Sequence, residues 1–78
     1  MPNNTTPDVA ICFDRRASDP FYCRVRRDAR TIEFVELPGT QTLPMAYRKA
    51  LALGLRPTHW RDEAYYEAIP DSIKGHAG

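Results

Sequence analysis

The chain has 78 residues, with formal charge +1, two cysteines and four glycines. That length holds one domain and leaves little core to give up to a deep substrate cavity, which disfavours an enzyme and favours a surface that binds. The small net charge also argues against sequence-independent nucleic-acid binding, which usually needs a larger cationic excess.

Residues 1–7 and 74–78 lack apolar periodicity and are expected to be disordered ends around a single α+β domain spanning 8–73. A first strand is expected from Asp8 to Arg16, with Val9, Ile11 and Phe13 inward, followed by a turn over Ala17 to Pro20. A second strand, Phe21 to Arg27, alternates Phe21, Cys23 and Val25 on one side with Tyr22, Arg24 and Arg26 on the other. Pairing Phe13 with Phe21 and Ile11 with Cys23 turns Cys12 to the far side of the sheet, which disfavours a Cys12–Cys23 disulfide.

Thr31 to Leu37 reads as a third strand, joined to the second across Asp28 and Ala29. The expected register sets Val25 beside Ile32 and Cys23 beside Phe34 on the core face. It places Arg24 beside Glu33, Tyr22 beside Val35 and Arg26 beside Thr31 on the other. A two-residue turn and a four-residue loop both fit this pairing.

Pro38-Gly39 closes the ribbon, and Thr42 or Leu43 caps a helix with Pro44 in its first turn. Leu43, Ala46, Tyr47, Ala50 and Leu51 recur at helical spacing and mark the buried stripe, with Arg48, Lys49 and Ala52 outward. Gly54, Leu55 and Pro57 form a Schellman-type stop. From Thr58 to Ile69 two readings compete. Trp60, Ala64 and Ala68 have helical spacing, whereas Tyr65, Glu67 and Ile69 alternate as a strand would; the helix is preferred. Pro70 ends either element, and Ile69 and Ile73 are expected to pin the segment to the body. The expected architecture is therefore α+β: a small three-stranded antiparallel sheet packed by one main helix, in order βββα plus a short C-terminal helix or strand.

Charge is distributed unevenly along this plan. Residues 1–14 sum to −2, residues 15–30 to +4 and residues 31–78 to −1. The cationic stretch supplies the expected partner-binding set Arg15, Arg16, Tyr22, Arg24, Arg26, Arg27 and Arg30, with Trp60 as an added anchor. Arginine brings planar donors and aromatic rings bring rigid contact area, the residue types that dominate binding hot spots. For Trp60 a core-closing role is the stronger reading. The opposing view of the arginines is that they solubilise the sheet and guard its edges.

Chemistry finds little support. His59 and Glu63 have helical i, i+4 spacing, but a zinc site needs a third ligand and the only other histidine is His76 in the tail. Cys23 lies in core phase, which disfavours a Cys23–His59 nucleophile pair. Asp62, Glu63 and Glu67 read as a wet face. The glycines at 39, 54, 75 and 78 stand singly and build no phosphate loop. No catalytic residue, metal or cofactor is therefore expected.

With no leader pattern and no apolar run near the eighteen or so residues that span a bilayer, a cytoplasmic protein without membrane contact is expected. The function expected is a small binding module of adaptor or inhibitor type, meeting an acidic surface on a larger protein. Nucleic acid is the alternative partner, since a three-stranded sheet backed by a helix is similar in outline to the sheet-reading DNA-binding domains of phage integrases. An unpaired edge of the first or third strand would be free to self-associate, so the residues set no oligomeric state.

Overall fold

A computed structural model describes residues 7–62 and 65–75. The elements run β1 (Val9–Phe13), β2 (Phe21–Arg26), β3 (Ile32–Glu36), α1 (Leu43–Ala52), β4 (His59–Arg61), β5 (Tyr66–Ala68) and α2 (Asp71–Gly75). The architecture is α+β, but the sheet is five-stranded and mixed, in order β3-β2-β1-β4-β5, rather than three-stranded and antiparallel. The extra strands are β4 and β5, in the segment whose Trp60 and Ala68 spacing favours a helix.

That correction has a physical cause in β1. Its sequence VAICF is apolar at every position, and Ala10, Ile11 and Cys12 are all fully buried, the mark of a central strand rather than an edge. Left on the outside of a three-strand ribbon, it would expose a row of backbone donors and acceptors. β4 takes that edge in parallel, pairing His59 with Ala10, Trp60 with Ile11 and Arg61 with Cys12. The Thr58 amide donates to the Val9 carbonyl at 3.1 Å, and β5 then folds back antiparallel on β4. Ladder bonds to a buried strand outweigh the weak helical spacing of Trp60 and Ala68; Ala64, the middle member of that pattern, lies outside the described residues.

β1 and β2 pair in the expected register, Phe13 with Phe21 and Ile11 with Cys23. β2 and β3 do not. Arg24 opposes Phe34, Val25 opposes Glu33, Cys23 opposes Val35 and Tyr22 opposes Glu36, a slip of one residue. Because side chains alternate, the slip turns Ile32 and Phe34 away from the helix and Glu33 and Val35 toward it. The loop explains the slip. Asp28 accepts from the amides of Arg30 (2.8 Å) and Thr31 (2.9 Å), while Arg27 donates to the Thr31 carbonyl (2.9 Å), so three residues lie inside the turn. A two-residue type I′ turn would need positive φ at Asp28 and Ala29, and no described non-glycine residue has it. The Arg30 amide first, and then Thr31, hold the Asp28 carboxyl below the usual carboxylate range.

α1 follows the sequence pattern. The Thr42 hydroxyl caps the Met45 amide at 3.4 Å, and Ala46, Tyr47 and Ala50 are buried against the sheet. At its end Leu55 donates to the Ala50 carbonyl and Gly54 to the Leu51 carbonyl, the two bonds of a Schellman motif, with Gly54 at φ 84°. A Cβ on Gly54 would meet nothing within 4 Å, so Gly54→Ala tests the backbone alone. It should cost about 1 kcal/mol in urea unfolding; a cost near zero would show that the left-handed stop carries no strain for alanine.

Between α1 and the sheet lie Ile11, Phe21, Cys23, Val25, Leu37 and Ile69, with Trp60, Val35 and Ile73 packed around them. Ile69 and Ile73 thus pin the C-terminal segment, and Lys74 and Gly75, read above as part of the tail, complete α2.

Candidate partner-binding face

β-strand alternation gives the sheet one face beneath α1 and a reverse face that no helix among the described residues covers. On the reverse face, Ala10 and Cys12 of β1 form a floor of small, fully buried residues. Longer side chains flank it in register: Tyr22 and Arg24 from β2, His59 and Arg61 from β4. Outside β2 stand Ile32, Phe34 and Glu36 of β3; outside β4 stands Tyr66. Phe34 is 63% exposed and packs edge-on to Tyr22, with ring centroids 5.8 Å apart. Arg61 reaches Tyr22 Oη at 3.5 Å and stacks 5.2 Å from the Tyr66 ring centre. Burial pushes the Tyr22 phenol up, and Cys12 beneath it adds to the shift.

The eight residues expected to bind together are not all brought together. Tyr22, Arg24 and Arg26 share the reverse face. Arg15 and Arg16 lie in the β1–β2 connection at one end, with Arg15 4.0 Å from Asp62. Arg30 lies in the β2–β3 loop at the other end. Arg27 forms a 2.6 Å ion pair with Glu33, a residue the register assigns to the helix side. Trp60 is half-buried and packs on the core from the helix side, in line with its core-closing reading.

The structure adds Ile32, Phe34, Arg61 and Tyr66 to the reverse face. The pattern of β3 places Phe34 and Ile32 on the core face, one residue out of phase with the ladder that forms. Arg61 and Tyr66 lie in the segment whose spacing favours a helix and which pairs instead as β4 and β5.

Charge on this face is also divided. Arg24 donates to the Pro7 carbonyl at 3.5 Å, and Arg26 sits 3.9 Å from an Asp8 carboxylate that is largely in water. At the other end, Asp14, Asp19 and Glu36 line an open cleft of about 500 Å³ with Tyr22 and Phe34 as its aromatic wall. A second depression of about 300 Å³, bordered by Arg15, Arg16, Arg61 and Asp62, lies on the far side of Tyr22. Tyr22 is therefore a ridge between two shallow clefts, and the face is aromatic where Tyr22 meets Phe34 and cationic farther along β2, at Arg24 and Arg26.

The groups considered for chemistry are kept apart. Cys23 points under the helix and His59 to the reverse face, with the sheet between them. Burial, and then the neighbouring Cys12, pushes the Cys23 thiol up to about 11. A thiol raised from 9.0 to about 11 contributes stability that is intact below about pH 9 and is lost as pH rises toward about 11, roughly 2–3 kcal/mol in all. Urea stability measured across that window should fall less steeply in Cys23→Ala; parallel slopes would remove Cys23 as the source. Glu63 and His76, the candidate metal partners of His59, lie outside the described residues. Both cysteines are free and buried on opposite faces, and no described helix is long and apolar enough to cross a membrane.

No protein family, curated protein or solved structure matches the chain.

Proposed function

We propose that the protein is a non-enzymatic binding module of adaptor or inhibitor type, which meets an acidic surface of a larger protein through the reverse face of its sheet. Tyr22 and Phe34 are the aromatic anchors, with Arg24 and Arg26 beside them. The observation that carries this reading is Phe34, a large apolar ring left 63% exposed midway along the edge strand β3 in a domain short of core. An isolated exposed apolar side chain needs no explanation, but Phe34 is joined by Ile32, 39% exposed, and by a tyrosine and two arginines in register. Aromatic anchors with arginine beside them are the composition of protein-binding hot spots.

Nucleic acid fits the same face less well. Glu36, Asp14 and Asp19 stand beside the aromatic pair, where an evenly charged phosphate backbone would meet like charge, whereas a protein surface can set its acidic groups against Arg24 and Arg26 alone. The discriminating experiment is capture from lysate of the source cells with the full chain as bait, with and without nuclease, beside an Arg24→Ala/Arg26→Ala bait. A nuclease-resistant protein held by the first bait and missed by the second supports the proposal. Nuclease-sensitive capture, with affinity falling near −0.9 in log-log salt slope per phosphate neutralised, would transfer the face to nucleic acid.

A further inference from the structure

We infer that β3 is a self-pairing edge, through which two copies of the chain join into one continuous sheet. The backbone dictates which groups are available. Arg27 bonds to Thr31 and Leu37 to Phe21, so residues 31, 33, 35 and 37 turn their amides and carbonyls toward β2. By alternation, Ile32, Phe34 and Glu36 turn theirs outward, along an edge that no other strand among the described residues occupies. The opposite edge, β5, is only three residues long and ends close to Pro70. β3 is five residues long and contains no proline or lysine. Its inward-pointing charge, Glu33, is neutralised by Arg27 at 2.6 Å and so protects the edge poorly.

The side chains select a second copy as the occupant. An antiparallel pairing centred on Phe34 is its own mirror partner: Phe34 opposes Phe34, and Ile32 opposes Glu36, in both directions. Each outward amide and carbonyl of these three residues then finds a partner, as an isologous two-fold contact requires. On the reverse face the two exposed Phe34 rings meet. Glu36 of one copy lies across Ile32 from Arg26 of the other, two strand spacings or roughly 9–10 Å between backbones, within reach of two long side chains. Arg26 gives up only a solvent-exposed 3.9 Å contact with Asp8 to make this pair. A two-fold axis normal to the sheet keeps both reverse faces on the same side, doubling the surface proposed above without depending on that proposal.

A five-residue seam belongs with small interfaces, below about 1,200 Å², so micromolar affinity is expected. Sedimentation equilibrium of the full chain between about 1 μM and about 1 mM should show a shift from 8.9 kDa to twice that mass. Phe34→Pro removes an amide that the β2 ladder does not use, so it should leave circular dichroism intact and abolish the dimer. Glu36→Arg should weaken dimerisation about tenfold or more by facing Arg26, and adding Arg26→Glu in the same chain should restore it. If Phe34→Pro does not fold, the charge reversal and its rescue decide alone. A chain that stays monomeric to about 1 mM, or a dimer indifferent to the Glu36 reversal, overturns the inference. So does a monomer whose edge variants lose only a foreign partner, since β3 would then receive a strand from another protein.

Discussion

Ile11→Ala should lower the stability of the protein by about 2–5 kcal/mol, the largest loss expected of any single truncation in the sheet. Ile11 is fully buried at the middle of the central strand, opposite Cys23 on one side and Trp60 on the other, beneath the alanines of α1. Truncation removes its transfer free energy and opens a void that neighbouring strands, held by ladders on both edges, cannot fill; such changes cost about 2–5 kcal/mol. A domain of this length has a total stability of roughly 4–12 kcal/mol, so the loss consumes a large share of it. The companion variant Phe34→Ala removes a larger side chain from a site 63% exposed and should change stability by about 0.5 kcal/mol or less. Urea unfolding monitored by Trp60 fluorescence reads both. Comparable losses for the two would show that the core is not organised around β1.

The contrast between these residues also marks how far the sequence could be read. The α1 stripe, its Thr42 cap and the Gly54 stop were legible because each is a local signal: a 3.6-residue period, a side chain that caps an amide, a positive φ that only glycine takes easily. The β1–β2 register was legible because β2 alternates Phe21, Cys23 and Val25 with Tyr22, Arg24 and Arg26, and the turn between the strands sets Phe13 opposite Phe21. The β2–β3 register was not. Ile32-Glu33-Phe34-Val35-Glu36 offers an apolar set in either phase, Ile32 and Phe34 or Val35 and Leu37, and the choice falls to the Asp28 turn. β4 and β5 were hidden for another reason. Three-residue strands carry almost no period of their own and exist because β1, apolar at every position, needs a neighbour on each side. The composition of VAICF was the available clue: a strand buried on both faces reads as a continuous apolar run rather than an alternation.

The slipped register and the added strands share a consequence for the binding face. Phe34, Ile32, Arg61 and Tyr66 join Tyr22, Arg24 and Arg26, and the face changes from an arginine patch to an aromatic strip with cationic neighbours. Arg27 leaves it for Glu33, and Trp60 leaves it for the core. Hydrophobic anchors inside a polar rim supply more binding energy than rim charges do, so the corrected face carries the partner-binding proposal further than the arginines alone could.

The second large effect concerns that face directly. In a complex with the captured protein, Arg24→Ala/Arg26→Ala should weaken affinity by about 2 kcal/mol or more, close to thirtyfold, while the melting temperature of the free chain stays nearly unchanged. Stability is spared because these arginines make one 3.5 Å contact with Pro7 and one exposed 3.9 Å contact with Asp8, each worth little in water. Binding suffers more because a partner desolvates the pair: guanidinium groups that reach acidic side chains beside Phe34 act in a lower dielectric than they meet in the free protein. Phe34→Ala should cost a similar amount, and the three changes together less than the sum, since they share one contact region. Arg24 also separates this proposal from self-association. It stands one strand behind the β3 edge, so Arg24→Ala alone should weaken the complex and leave the dimer intact, whereas Glu36→Arg should do the reverse. Equal affinity of the wild-type chain and the double arginine variant, measured by calorimetry at low salt, would remove the reverse face as the docking surface.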